Sequence, residues 1–154
     1  MKIVVGCDHA GFPLKSVVLE TVRKAGHEVM DAGTDSTEPV DYPDIVRIVG
    51  REILEQRADR GILLCGSGVG ACIAANKFPG LYAGVCHDTY SAHQGVEHDD
   101  MNVLCLGARI IGPELARELV AAYLSARFST EARHRRRVEK TRAIESEYMG
   151  KGNR

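Results

Sequence analysis

The chain has 154 residues, 44% of them hydrophobic and 27% charged, with a formal net charge of -1. That length predicts one domain, 1–154, able to bury most of its apolar surface without staples. So even a charge balance gives no reason to expect nucleic acid or an anionic membrane as partner, and no run approaches the roughly 18 apolar residues of a membrane span.

Short apolar runs then alternate with helical patterns. Ile3 to Cys7 is a strand candidate, followed by Leu14, Val17, Val18, Val22 and Ala25 on one helical face, with Gly26 as the stop. His27 to Met30 forms a weak second strand, and residues 33–41, "GTDSTEPVD", are loop-like. Pro43 can open the next helix, whose buried stripe is Ile45, Ile48, Val49 and Ile53. Gly61 to Cys65 reads as a strand and 68–77 as a helix. Leu81 to Cys86 is a strand followed by a helix over 89–97, and Val103 to Leu106 is the fifth strand. Pro113 opens a helix with Leu115, Leu119 and Tyr123 at helical spacing. The charged stretch 131–149 carries only a thin apolar seam of Val138, Ile144 and Tyr148. Five β-α units plus a last helix argue for a Rossmann-like three-layer α/β/α sandwich around a five-stranded parallel sheet. Ligands in such folds sit at the carboxyl ends of the strands.

The five cysteines form no C-x-x-C pair, and four lie in or beside apolar runs, so reduced, buried thiols are expected. With no signal peptide before the apolar Ile3-Val4-Val5, the expected location is cytoplasmic. The six histidines and five cysteines show no zinc-like spacing, so no metal is expected.

The segment "ILLCGSGVGACIAANK", 62–77, ends an apolar strand on Cys65 and passes through Gly66, Gly68 and Gly70 into a helix. The glycines permit a tight turn with exposed N–H groups, which makes an anion site. "GSGVGA" also matches G-x-G-x-x-A, with Asp88 in the place of a ribose-binding acid, so a dinucleotide-binding module is an alternative. That fingerprint normally follows the first strand, and this loop follows the third. A third reading uses Cys65 itself. A thiolate there could take a proton from a carbon beside a carbonyl, and the oxyanion formed would lie against the loop N–H groups. Asp8 and His9, after the first strand, and His98, before the fifth, are further candidates. Arg133 and Arg137 in "RHRRR" lie four apart on one helical face and suit a phosphate.

These stretches together resemble the ribose-5-phosphate isomerase B family, which includes galactose-6-phosphate isomerase subunits. The resemblance covers nearly the whole chain. It rests on "GCDHAG" at 6–11, "DYPD" at 41–44, "CGSGVGACIAANK" at 65–77, "NVLCLGAR" at 102–109 and "RHRRRV" at 133–138. It implies an aldose–ketose isomerase without cofactor or metal, interconverting ribose 5-phosphate and ribulose 5-phosphate through an enediolate. By the same resemblance Cys65 is the base. Part of the family uses a Glu in the following helix, but "GACIAAN" offers no acid here. Ser67 and the N–H groups of Gly66, Gly68, Val69 and Gly70 would stabilise the enediolate. His98 would open the sugar ring, with Asp8 contacting ring oxygens. His9, Arg133 and Arg137 would hold the phosphate, supported by Tyr42 and Arg109.

The family pattern also implies a homodimer, or a tetramer of dimers, with each active site shared and the 131–149 helix packed on the partner subunit. One departure stands out. Many members read "HND" where this chain has His98-Asp99-Asp100, so Asp99 replaces an Asn that helps hold substrate oxygens. An ionised Asp99 would repel an enediolate unless protonated or turned away. This leaves room for another phosphorylated sugar, such as allose 6-phosphate or galactose 6-phosphate. An inactive partner subunit is a further alternative.

Overall fold

The computed structural model of the chain describes residues 1–149, so the last five residues of the expected 1–154 domain lie outside the described residues. The elements are β1 (Lys2–Cys7), α1 (Phe12–Lys24), β2 (Glu28–Asp31), α2 (Tyr42–Leu54), β3 (Arg60–Cys65) and α3 (Val69–Ala75). They continue with β4 (Ala83–Val85), α4 (Thr89–Asp99), β5 (Val103–Gly107), α5 (Pro113–Ser125) and α6 (Ala132–Met149). Prolines occupy the first turns of α1, α2 and α5, where a missing N–H costs no helical hydrogen bond. Gly26, at φ +78°, supplies the left-handed residue just beyond α1.

All five strands are parallel, in the order β2-β1-β3-β5-β4. The chain leaves β1 to one side for β2 and returns on the other side as β3. The carboxyl ends of β1 and β3 therefore flank a crevice, the place where open α/β sheets put ligands. Strand side chains alternate between two cores. Ile3, Val5, Ile62, Leu64, Leu104 and Leu106 pack with residues of α1, α4 and α5. Val4, Leu63, Cys65, Val103 and Cys105 pack with residues of α2 and α3. Burial on both faces explains why these strands read as continuous apolar runs.

Several details differ from the sequence expectation. The buried stripe of α2 is Val46, Val49, Gly50 and Ile53, while Ile48 is 47% exposed. At 100° per residue these four share one face, and position 48 falls off it. Strand β4 is shorter than Leu81 to Cys86. Tyr82 N–H instead donates to the Asn102 side chain at 2.8 Å, and Ala83 exchanges two bonds with the Asn76 amide, each 2.9 Å. In α6, Val138 is buried as a seam residue should be, but its buried companion is His134. Ile144 and Tyr148 are 61% and 71% exposed. No helix among the described residues is long and apolar enough to cross a membrane.

Candidate active site

Strand β3 delivers Cys65 to the crevice, 5% exposed, with its side chain on the α2/α3 side of the sheet. Gly68 follows at φ +84°, a conformation a Cβ would strain. In that conformation its N–H donates to Cys65 Sγ at 3.1 Å, which fixes the sulfur at the head of the glycine loop. The other thiols are in different surroundings. Burial pushes Cys7 and Cys86 up to about 11. A hydrogen bond from Cys105 holds Cys72 down at about 7, and the same bond leaves Cys105 well above the ordinary thiol value.

Cys65 forms the wall of an open cavity of about 440 Å³, together with Gly66, Ser67 and Gly70 of its own loop. Asp8, His9, Tyr42 and Arg109 complete it. Each is placed by a specific contact. Asp8, 6% exposed, accepts from Gly11 N–H at 2.8 Å. That bond engages Oδ1 in the turn before α1, whose N-cap is Gly11, and leaves the other oxygen to the cavity. The His9 ring nitrogen Nδ1 meets the Val40 peptide, 3.2 Å from its N–H nitrogen and 3.3 Å from its carbonyl oxygen. The Tyr42 ring lies over Gly70, where an added Cβ would come within 2.9 Å of it. Arg109 N–H donates to Gly66 O at 3.0 Å, tying the turn after β5 to the glycine loop. Among the described residues, no ion pair neutralises the Arg109 guanidinium. Ser67 is exposed at the rim and its Oγ accepts from Val69 N–H at 3.3 Å, while Val69 is exposed and, like Gly68, does not line the cavity.

The remaining expected residues gather elsewhere. His98, near the end of α4, lines a separate cavity of about 680 Å³. Asp99 and Arg137 line another of about 370 Å³, between α4 and α6. Arg133 is exposed and paired with Glu131 at 2.7 Å. His98 stacks on the buried His134 of α6, ring centroids 4.0 Å apart, so these groups form one patch on α4 and α6. The Gln94 amide nitrogen lies 2.8 Å from His98 Nδ1 and donates to Asp99 Oδ2 at 3.4 Å. Asp99 is thus turned back along its own helix. Gln94 and His134 were not among the sequence candidates. Gln94 stands four residues before His98, one helical turn, which is the only signal that could have marked it.

Asp88, the would-be ribose acid, instead caps α4. Its Oδ1 accepts from Ser91 N–H at 2.7 Å, and the Ser91 bonds hold its carboxyl below the usual carboxylate range.

The chain thus combines a glycine loop ending on a thiol, a cavity at the β1/β3 crevice, and a family model described as Ribose/Galactose Isomerase that matches residues 3–141. The chain belongs to the ribose/galactose isomerase family. Ribose-5-phosphate isomerase B of Escherichia coli (strain K12) is 46% identical, over 94% of this chain and 96% of that protein. D-erythrulose-4-phosphate isomerase of Pectobacterium atrosepticum is 43% identical, over 83% and 85%. The ribose-5-phosphate isomerase B structure from Clostridium thermocellum superposes with TM-score 0.92 at 44% identity, covering 96% of this chain and 99% of that one. The type B ribose 5-phosphate isomerase from Trypanosoma cruzi gives 0.93 at 39%, covering 96% and 100%. The chemistry that goes with this family is aldose–ketose isomerisation of sugar phosphates.

Proposed function

We propose that the chain interconverts ribose 5-phosphate and ribulose 5-phosphate, with Cys65 as the base. The observation that carries this reading is the Cys65 sulfur beneath the Gly68 N–H, in the wall of a cavity at the β1/β3 crevice that also holds Asp8, His9 and Arg109. In the open-chain aldose the thiolate takes the C2 proton. The electrons of that C–H bond form the C1–C2 double bond, and the carbonyl pair moves onto O1. The enediolate lies against Ser67 and the loop N–H groups other than those of Gly68 and Val69, which are engaged by Cys65 Sγ and Ser67 Oγ. The O2 proton passes to O1, relayed by the Ser67 hydroxyl, and the O2 electron pair forms the C2 carbonyl as the C1–C2 double bond takes the thiol proton at C1, giving the ketose and restoring the thiolate. The free oxygen of Asp8 suits a sugar hydroxyl, and His9 and Arg109 suit the anionic end.

His98, Arg133 and Arg137 act, on this reading, from a second copy. They lie outside the Cys65 cavity in their own chain, so two copies facing each other would complete two equivalent sites, as a twofold interface requires. The exposed Ile144 and Tyr148 of α6 are apolar surface for that partner, in a homodimer or a tetramer of dimers. The one-domain organisation and a cytoplasmic location belong to the same reading.

Asp99 favours a second reading on the substrate. Turned back on Gln94, it leaves open the contact an Asn would make, and the Pectobacterium relative is named for a four-carbon substrate. An isomerisation assay on ribose 5-phosphate, D-erythrulose 4-phosphate, allose 6-phosphate and galactose 6-phosphate tests both. The first reading expects ribose 5-phosphate to have the highest kcat/KM. Preference for the tetrulose supports the second, and no turnover of any of them defeats both.

A further inference from the structure

We propose that Lys15 is a positioning residue for the phosphate end of the site: it anchors the strap of residues 31–40, whose Val40 peptide holds His9 with Nε2 left to the cavity. The proposal rests on the functional reading for what His9 binds, and on geometry for how His9 is held.

Among the described residues Lys15 is the one buried lysine, at 5% exposure on an otherwise apolar face of α1. Its ammonium has three hydrogens and meets three oxygens: Asp31 Oδ2 at 2.8 Å, Asp35 Oδ1 at 2.7 Å and Thr34 O at 2.9 Å. All three lie in the segment that leaves β2. The same segment is pinned to β1 by Ala32 N–H to Val5 O at 2.8 Å and by Thr34 N–H to Cys7 O at 3.0 Å. Residues 33–41 have no helix or strand bonds of their own, so Val40 is held between these anchors on one side and Asp41, the N-cap of α2, on the other.

Val40 presents both its N–H and its C=O to His9 Nδ1. When the ring is neutral, the N–H can donate to Nδ1, and the ring hydrogen is then on Nε2. When the ring is charged, Nδ1–H can donate to the C=O, and Nε2 again carries a hydrogen. In both of these states Nε2–H is the donor a phosphate oxygen needs, and only a neutral ring protonated on Nδ1 would lack it. The ionisable groups that share the cavity with His9 are Asp8 after β1, Tyr42 of α2, Cys65 of β3 and Arg109 after β5. None of them is a hydrogen-bond partner of its Nδ1. The Lys15 anchor is thus linked to the active site through peptide groups, without touching substrate.

The test labels the histidines of the full chain with ¹⁵N and reads the His9 tautomer by two-bond ¹⁵N–¹H correlations. The wild type is expected to show Nε2–H. In Lys15→Met the His9 signals should turn to a tautomer mixture. KM for ribose 5-phosphate should rise about tenfold with kcat within about threefold, as expected for losing a charge-assisted contact to the ground-state phosphate. Asp35 is 93% exposed, so Asp35→Asn should fold normally and raise KM by about twofold to threefold. It stands in if Lys15→Met fails to fold. A wild-type His9 protonated on Nδ1 alone overturns the proposal. So does a folded Lys15→Met with unchanged His9 signals and unchanged KM. If the wild type isomerises no sugar phosphate while the tautomer effect of Lys15→Met is present, the functional reading falls and the positioning role stands.

Discussion

At the scale of residues, the account turns on which sulfur does the work. Cys65→Ala should lower kcat by about a thousandfold, within the range general acid–base catalysis supplies, while substrate still binds. Steady-state kinetics together with calorimetric binding of ribose 5-phosphate checks this. Cys72 serves as the internal control. Its thiol is held down at about 7 by the Cys105 hydrogen bond, against 9.0 for an ordinary thiol. A group with a lowered folded value stabilises the fold above its unfolded value, and that contribution is lost as the pH falls through the folded one. The Cys72 contribution therefore grows between about pH 7 and pH 9 and is absent in acid. Cys72→Ser should remove a near-neutral thiolate titration, read by ultraviolet absorbance, and leave turnover within about threefold, since Cys72 lines none of the Cys65 cavity. Most residues of the Cys65 cavity were legible in the sequence because they fall at or just after the ends of β1, β3 and β5, whereas Tyr42, which opens α2, came only from the family resemblance. Lys15 was not legible. It occupies an apolar face, and only the strap returning over it shows why a charge belongs there.

At the scale of elements, proline starts, glycine stops and unbroken apolar strands gave the order and nearly all the boundaries. The shortened β4 is where pattern failed. Leu81 and Tyr82 look like strand, but β4 is an edge with one neighbour, and the side chains of Asn76 and Asn102 take its backbone bonds. Side chains that imitate a strand leave no periodic trace. Helix α5 is held by Tyr123, which is fully buried and donates its hydroxyl to Gly61 O at 3.2 Å. Arg60 packs on that ring and donates to Tyr123 O and Ala126 O at 2.8 and 3.0 Å. Tyr123→Phe leaves one buried carbonyl without this donor and should cost about 1 kcal/mol in denaturant unfolding, with KM unchanged. Helix α6 is docked mainly by polar contacts: Arg142 to Asp100 at 2.7 Å and Glu145 to Tyr82 Oη at 3.2 Å. A charged helix fastened this way shows little apolar stripe, which explains why its seam was so thin in the sequence.

At the scale of the whole molecule, one chain carries two separate sets of groups. Cys65, Asp8 and His9 share the β1/β3 crevice, whereas His98, Asp99 and Arg137 lie on α4 and α6 around other cavities. The family resemblance joined them into one site, and spacing along a single chain says nothing of whether one copy or two would bring them together. The proposed arrangement makes a sharp demand, tested by mixing two inactive variants, Cys65→Ala and His98→Asn, after unfolding and refolding together. Random pairing puts half of the dimers in mixed form, and each mixed dimer holds one site with both functional side chains. The account predicts recovery of about one quarter of wild-type turnover of ribose 5-phosphate. Turnover no higher than that of the separate variants, in dimers shown to have exchanged subunits, would contradict it.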